Sequence, residues 1–210
     1  MSAPDVGDFA PSLAVQDVDG RVLQLATLWQ DGPLLLTFLR HFGCPMCKAF
    51  VAQLRQVYPE LQALGVEIAT VTMGRPDMTQ EFCRQQSVPF ACLADPERLV
   101  YQAYGLIDSF VGATQPTTWL AYARAVLQGH LPRPMPLGTP HGQLSGAFLI
   151  DQQGIVRFAH RNQTAADNPS NEQLLAAVHP LAQPVLPRQW AEGGRQNAVK
   201  QPWRSGHGAG

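Results

Sequence analysis

The spacing of apolar residues divides the chain into alternating strand-like and helix-like stretches. Residues 34–39 are nearly all apolar, with Thr37 the one interruption. A run that short and continuous predicts a strand buried on both faces. In residues 48–64, Phe50, Val51, Leu54, Val57, Tyr58 and Leu61 recur at the period of an amphipathic helix, and Gly65 is its stop. Residues 66–73, with Val66, Ile68, Val71 and Met73, read as the next strand. Gly74, Pro76 and Asp77 make a turn, and Asp77 is expected to cap a short helix ending near residue 86 that turns Met78 and Phe82 inward. Residues 89–93 predict a third short strand. Asp95-Pro96 reads as a cap followed by proline at the first helical position, with Leu99, Val100, Ala103 and Tyr104 facing inward and Gly105 closing the helix.

The flanks are less regular. A turn at 17–20 and the short apolar pieces Val22, Leu23, Leu25 and Leu28 predict small strands or a hairpin covering one side of the domain. Asp31-Gly32-Pro33 breaks the chain before the central strand. Residues 117–127 fit a helix carrying Trp119, Leu120, Tyr122 and Val126. Residues 129–142 hold four prolines and three glycines and read as a long loop, which lines a site, makes a partner contact or is a plain surface excursion. Residues 146–151 and 155–160 around Gly154 carry a hairpin signature, and residues 170–179 a last helix with Leu174, Leu175 and Val178 inward. Beyond Pro180 the periodicity stops. The expectation is one domain over residues 1–181 and a mobile tail over 182–210, with Trp190 or Trp203 able to dock on the body.

Composition narrows the function. Hydrophobic residues make up 45% of the chain, enough for a full core. The formal net charge of -1, with no basic cluster, argues against a nucleic-acid partner. No apolar run is long enough to span a bilayer, and the first 13 residues lack a charged start followed by an apolar stretch. A cytoplasmic protein with no membrane partner is expected. In that reducing compartment, cysteines close in sequence are catalytic or metal-binding more often than structural.

Two of the four cysteines frame the junction between the central strand and the long helix, as Gly43-Cys44-Pro45-Met46-Cys47. Pro45 suits the first helical position, which makes Cys44 the N-cap and Cys47 the third helical residue. Helical side chains lean toward the N-terminus, so Cys47 leans toward Cys44, within reach of a disulfide. Unpaired N–H groups and the helix dipole favour negative charge at the cap, and Arg40 and His41 add positive charge beside it. A Cys44 thiolate, facing solvent and attacking, with a more enclosed Cys47 resolving, follows from this placement. His41 reads equally well as a charge partner or as a pocket wall, and Arg40 either points at the site or pairs with an acid elsewhere. A structural disulfide and half of a zinc site are the competing readings of the pair. The zinc reading lacks a second close pair of cysteines. Cys83 and Cys92 are expected to be free, buried and inert, with a redox role for either as the alternative. No metal and no cofactor is expected.

The order strand, Cys-x-x-Cys, helix, strand, helix, strand, helix, hairpin, helix resembles the thioredoxin fold as elaborated in peroxiredoxins. The similarity is greatest to the peroxiredoxin-like branch of the alkyl hydroperoxide reductase C / thiol-specific antioxidant (AhpC/TSA) family. The matching pieces are residues 6–11 (Val-Gly-Asp-Phe-Ala-Pro), residues 38–47, residues 93–96 (Leu-Ala-Asp-Pro), residues 104–106 (Tyr-Gly-Leu) and residues 146–151 with Gly154. The resemblance implies an α/β thioredoxin-like fold with a central mixed sheet flanked by helices. It also implies an enzyme that reduces peroxides or exchanges disulfides, attacking with Cys44 and needing no cofactor. An external dithiol, thioredoxin-like or glutathione, would reset it. Oligomeric state stays open, a homodimer included. In the peroxidase loop Pro-x-x-x-Thr-x-x-Cys, His41 takes the threonine place and Thr37 the proline place, and Ser145 stands where an arginine often precedes the late strand. Those groups orient the peroxide, so inefficient peroxide turnover is expected. The reading from another class is a thioredoxin-fold redox sensor or binding module without turnover.

Overall fold

The computed structural model describes residues 2–106, 108, 116–132 and 142–181. Most of the loop expected at 129–142, and the tail from 182 with Trp190 and Trp203, lie outside the described residues. Within them, seven strands form one mixed sheet: β1 (Ala14–Asp17), β2 (Val22–Gln24), β3 (Leu34–Phe38), β4 (Glu67–Thr72), β5 (Ala91–Ala94), β6 (Gly146–Ile150) and β7 (Val156–Arg161). Their order across the sheet is β2-β1-β5-β4-β3-β6-β7. The three central strands β3, β4 and β5 run parallel, while β6, β7 and the β1–β2 hairpin are antiparallel. That hairpin extends the sheet edge beside β5 instead of covering a side, because β1 pairs with β5 through Gln16 and Asp17.

β3 explains why a continuous apolar run was needed. All five of its residues are buried. Successive side chains point to opposite faces, so each face requires its own apolar set. Leu35 and Leu39 enter a cluster with Ile68, Leu149 and the helix residues Phe50, Val51 and Leu54. Leu34, Leu36 and Phe38 enter a second cluster with Val71, Phe148, Ile150, Tyr101 and Tyr104. Helices α1 (Pro45–Ala63), α2 (Pro76–Gln85), α4 (Pro116–Leu127) and α5 (Asn171–Val178) contribute to the first cluster, and α3 (Leu99–Ala103) to the second.

The helix ends depart from expectation in instructive ways. α2 begins two residues earlier than its acidic cap implied: Arg75 is the N-cap and Pro76 opens the helix. Asp77 lies in the first turn and pairs with Arg75 at 2.8 Å. Asp95 does cap α3, but across a turn, and proline does not open the helix. Its carboxylate accepts from the backbone N–H groups of Leu99, Val100 and Tyr101 at 3.1, 2.8 and 3.3 Å. Starting α3 at Leu99 rotates its inner face. Val100, Tyr101 and Tyr104 are buried, and Leu99 is exposed. On α4, Trp119 and Leu120 point outward, and Thr118 and Ala125 are the buried residues. The end of α1 matches: Gly65 adopts a φ of 78° just after the C-cap Leu64, the left-handed backbone that favours glycine.

The hydroxyl of Tyr101 closes the sheet beneath the active-site turn. It donates to the carbonyl oxygens of Leu39 (2.6 Å) and Val71 (2.9 Å), bridging the chain ends that leave β3 and β4. Its ring stands edge-on to Phe38, with centroids 5.0 Å apart. Tyr101→Phe keeps the packing and leaves the Leu39 carbonyl buried without this donor. It is expected to lower the unfolding free energy by about 1–3 kcal/mol in a urea titration, with little change in secondary structure by circular dichroism.

Candidate active site

The site forms where β3 ends in the middle of the sheet. Leu39 N–H still reaches Val71 O at 2.9 Å, after which the chain turns. The Cys44 N–H donates to His41 O at 3.2 Å and closes that turn through Phe42 and Gly43. Pro45 opens α1, and Cys44 is its N-cap with φ -75° and ψ 118°. The proline fixes where the helix can start, and that start decides which sulfur sits at the cap. Cys47, three residues on, lies over it, as the backward lean of helical side chains requires. Both cysteines are free thiols.

Burial corrects the expectation of a solvent-facing cap. Cys44 and Cys47 are each only 2% exposed. Enclosure therefore does not distinguish them; their electrostatics do. Cys44 is lowered from the ordinary thiol value of 9.0 to about 6. The largest cause is the hydrogen bond donated by the Cys47 thiol, which outweighs the opposing effect of burial; the Arg40 charge and the N–H groups of Cys47 and Met46 add to it. Cys47 is pushed well above 9.0 by the same hydrogen bond and by burial. One sulfur of the pair is thus a thiolate near neutrality while the other holds its proton.

Arg40 is also buried, at 4% exposure, and points at the site. Its Nη1 lies 3.8 Å from Cys44 Sγ, and its Nε donates to Gln143 O at 2.8 Å. Gln143 is in turn anchored, its Nε2 donating to the carbonyls of Leu106 (3.3 Å) and Leu144 (3.2 Å) and its Oε1 accepting from Arg98 at 3.4 Å. Nothing in the sequence singled out Gln143, which is 103 positions from Arg40 and lies at the end of a Gly/Pro-rich stretch. Lys48 was missed as well. It sits one turn after Cys44, is buried, and donates from Nζ to Leu131 O at 2.6 Å. This contact brings residues 130–132 to the start of α1. His41 is half-buried and supplies its carbonyl to the turn. Ser145 is buried ahead of β6, where its carbonyl accepts from Asn162 N–H at 3.1 Å.

The expectation for the other two cysteines is overturned. Cys83 on α2 and Cys92 on β5 are joined in a disulfide. Their nine-residue separation spans one tight return from helix to strand, so the return itself delivers the two sulfurs to each other. Among the described residues, no group of three or more His, Cys, Asp and Glu side chains is placed to hold a metal ion.

The electrostatic assignment makes a titration prediction. Thiolate absorbance of Cys44 is expected to rise with a midpoint of about 6, against about 8.5 for free cysteine. Cys47→Ser retains a hydroxyl donor and keeps the midpoint low, whereas Cys47→Ala and Arg40→Met each raise it. A midpoint unmoved by Cys47→Ala would overturn the Cys47-to-Cys44 hydrogen bond as its main cause.

Comparison with known proteins identifies the family. The model of the AhpC/TSA family matches residues 6–130, more than half of the chain. Similar proteins include the Thioredoxin-like protein AAED1, chloroplastic, of Arabidopsis thaliana, 23% identical over 177 residues, covering 81% of this chain and 71% of that one. Peroxiredoxin-like 2C of Mus musculus is 26% identical, covering 80% and 79%. Peroxiredoxin Bcp of Escherichia coli is 28% identical over 116 residues, covering 54% and 74%. Among solved structures, Xylella fastidiosa PrxQ superposes with a TM-score of 0.64 at 14% identity, covering 87% of this chain and all of that one (100%). A putative thiol:disulfide interchange protein DsbE from Chlorobium tepidum superposes with a TM-score of 0.56 at 21% identity, covering 84% and 99%. These structures share the thioredoxin-like fold expected from the sequence. With its fold, its Cys44–Cys47 pair and the family match in agreement, the chain belongs to the AhpC/TSA family, whose members are thiol peroxidases or thiol–disulfide oxidoreductases.

Proposed function

We propose that Cys44 is the attacking thiolate of a thiol-dependent oxidoreductase and Cys47 its resolving partner. The observation that carries this reading is the asymmetric pair itself: a Cys47 thiol donating to a Cys44 sulfur that Arg40 also faces at 3.8 Å. With a hydroperoxide, the Cys44 thiolate attacks the terminal oxygen, the O–O bond breaks, and the alkoxide leaves as an alcohol after taking a proton, with Cys44 as sulfenic acid. Cys47 then attacks the Cys44 sulfur. Water leaves, the Cys44–Cys47 disulfide forms, and an external dithiol of the thioredoxin or glutathione class returns both thiols by exchange. With a disulfide oxidant the first step gives a mixed disulfide instead, and Cys47 displaces the second thiol.

The enclosure of Cys44 favours the small oxidant. At 2% exposure its sulfur is open to a hydroperoxide far more readily than to the disulfide of a folded protein. Arg40 takes up the charge-stabilising work, because His41 and Ser145 stand where the peroxidase pattern carries threonine and arginine.

Single-turnover mass spectrometry tests the division of labour. Wild-type protein given one equivalent of hydroperoxide is expected to lose two hydrogens, mapped to Cys44 and Cys47. Cys44→Ser is expected to show no reaction at this pair, and Cys47→Ser to stop as a Cys44 sulfenate. Repeated turnover with a dithiol reductant separates an enzyme from a sensor that reacts once. Equal reactivity of both single variants and the wild type would make the pair structural and end the enzymatic reading.

A further inference from the structure

The disulfide outside the active pair joins α2 to β5, and α2 is the element that backs the Cys44 turn. Phe82 precedes Cys83 directly, and its ring centroid lies 5.1 Å from that of Phe42. Phe42 stands two residues before Cys44. Its ring also fills the space over Gly74 ahead of α2, where an added Cβ would run into it. Phe42 is therefore clasped at both ends of α2, and the position of that helix sets the position of the turn. Besides the disulfide, α2 is held to the sheet by the Thr72–Thr79 hydroxyl pair at 2.6 Å.

A second observation concerns what surrounds the bridge. Thr70 on β4 is fully buried, and its hydroxyl has no hydrogen-bond partner. It is the direct neighbour of Cys92 in the parallel ladder between β4 and β5, so both side chains project from the same face. Its neighbour on the other side, Thr37, is already satisfied by Ala69 O at 3.2 Å. An unpaired buried hydroxyl is costly, and a thiol is both a weak donor and a weak acceptor, which a disulfide sulfur is not.

We propose that Cys83–Cys92 is a redox-operated tether on the active site. Closed, it fixes α2 to β5, Phe82 supports Phe42, and the turn holds Cys44 beneath Arg40. Opened, it frees the end of α2 and lowers the reactivity of Cys44. Opening is a thiol–disulfide exchange with an external dithiol: one thiolate attacks a bridge sulfur, the second thiol displaces the mixed disulfide, and two electrons and two protons pass to Cys83 and Cys92 as the dithiol becomes a disulfide. The inference rests on Cys44 being the attacking thiolate.

The test uses the full chain with Cys44 and Cys47 reduced in both of two states, bridge closed and bridge opened by dithiothreitol, told apart by the two-hydrogen mass difference. The second-order rate of Cys44 with iodoacetamide at pH 5 is read by peptide mapping. Opening is expected to slow Cys44 about threefold or more, since each unit of raised pKa removes about tenfold of the thiolate and returns about threefold in intrinsic nucleophilicity. A Cys83→Ser/Cys92→Ser variant should reproduce the slow state, and Phe82→Ala should slow Cys44 with the bridge closed. Equal, fast rates in the two states overturn the tether and leave the Cys44 reading standing. A bridge that stays shut in reductant sufficient for Cys44–Cys47 overturns it too. A closed-state rate no faster than that of free cysteine overturns the Cys44 reading and the tether with it.

Discussion

A charged sulfur can be kept out of water only if other groups replace the hydration it loses. Cys44 meets that condition from three directions. The Cys47 thiol donates to it, the Arg40 guanidinium faces it at 3.8 Å, and the first N–H groups of α1 point at it. Each depends on a different part of the fold. The thiol is placed by the helical register that Pro45 starts, the N–H groups by the helix end itself, and the guanidinium by a carbonyl from the far side of the chain. Burial opposes ionisation throughout, so the lowered pKa is a balance that the enclosure alone would reverse.

Arg40 carries the same problem one step outward, because a buried guanidinium must also be held. Gln143 accepts from its Nε, and Gln143 is fixed by Leu106, Leu144 and Arg98. Arg98 also reaches Asp108 at 3.3 Å. Beneath this network Asp95 caps α3, and α3 presents the Tyr101 hydroxyl to Leu39, the residue immediately before Arg40. Active-site charge and sheet architecture are thus joined through a chain of hydrogen bonds, from a helix cap on one face of the sheet to a thiolate on the other.

How much of this could be read from the residues depended on how local each determinant is. The β3 run, the α1 stripe, Pro45 at N1 and the Cys-x-x-Cys are local, and the mixed sheet and the paired thiols follow from them. Burial of the cap was not legible, because Cys44 belongs to a cluster with residues distant in the chain, such as Phe82, Ala125 and Leu149. The outward turn of Trp119 and Leu120 likewise depends on which face α1 leaves open to α4, and an apolar list cannot show that. Cys83 and Cys92 were misjudged one at a time, as a helix residue and a strand residue, when the short return between α2 and β5 is what makes them a pair. Departures from the peroxidase loop were visible in the sequence. Their replacement by a buried arginine aimed at the sulfur was visible only in three dimensions.

The arrangement that activates Cys44 also sets which redox state the site prefers. In the proposed cycle, forming the Cys44–Cys47 disulfide consumes the thiolate, and with it a counter-charge to Arg40, the acceptor for the Cys47 proton and the anion at the helix end. All three interactions stabilise the reduced, ionised form and have no equivalent in the disulfide. A dithiol whose reduced form is selectively stabilised makes an oxidising disulfide, one that gives up its bond readily to an incoming dithiol. The forces that lower the Cys44 pKa therefore act twice in a cycle. They raise the thiolate population that meets the oxidant, and their loss in the disulfide favours the return to the thiol state.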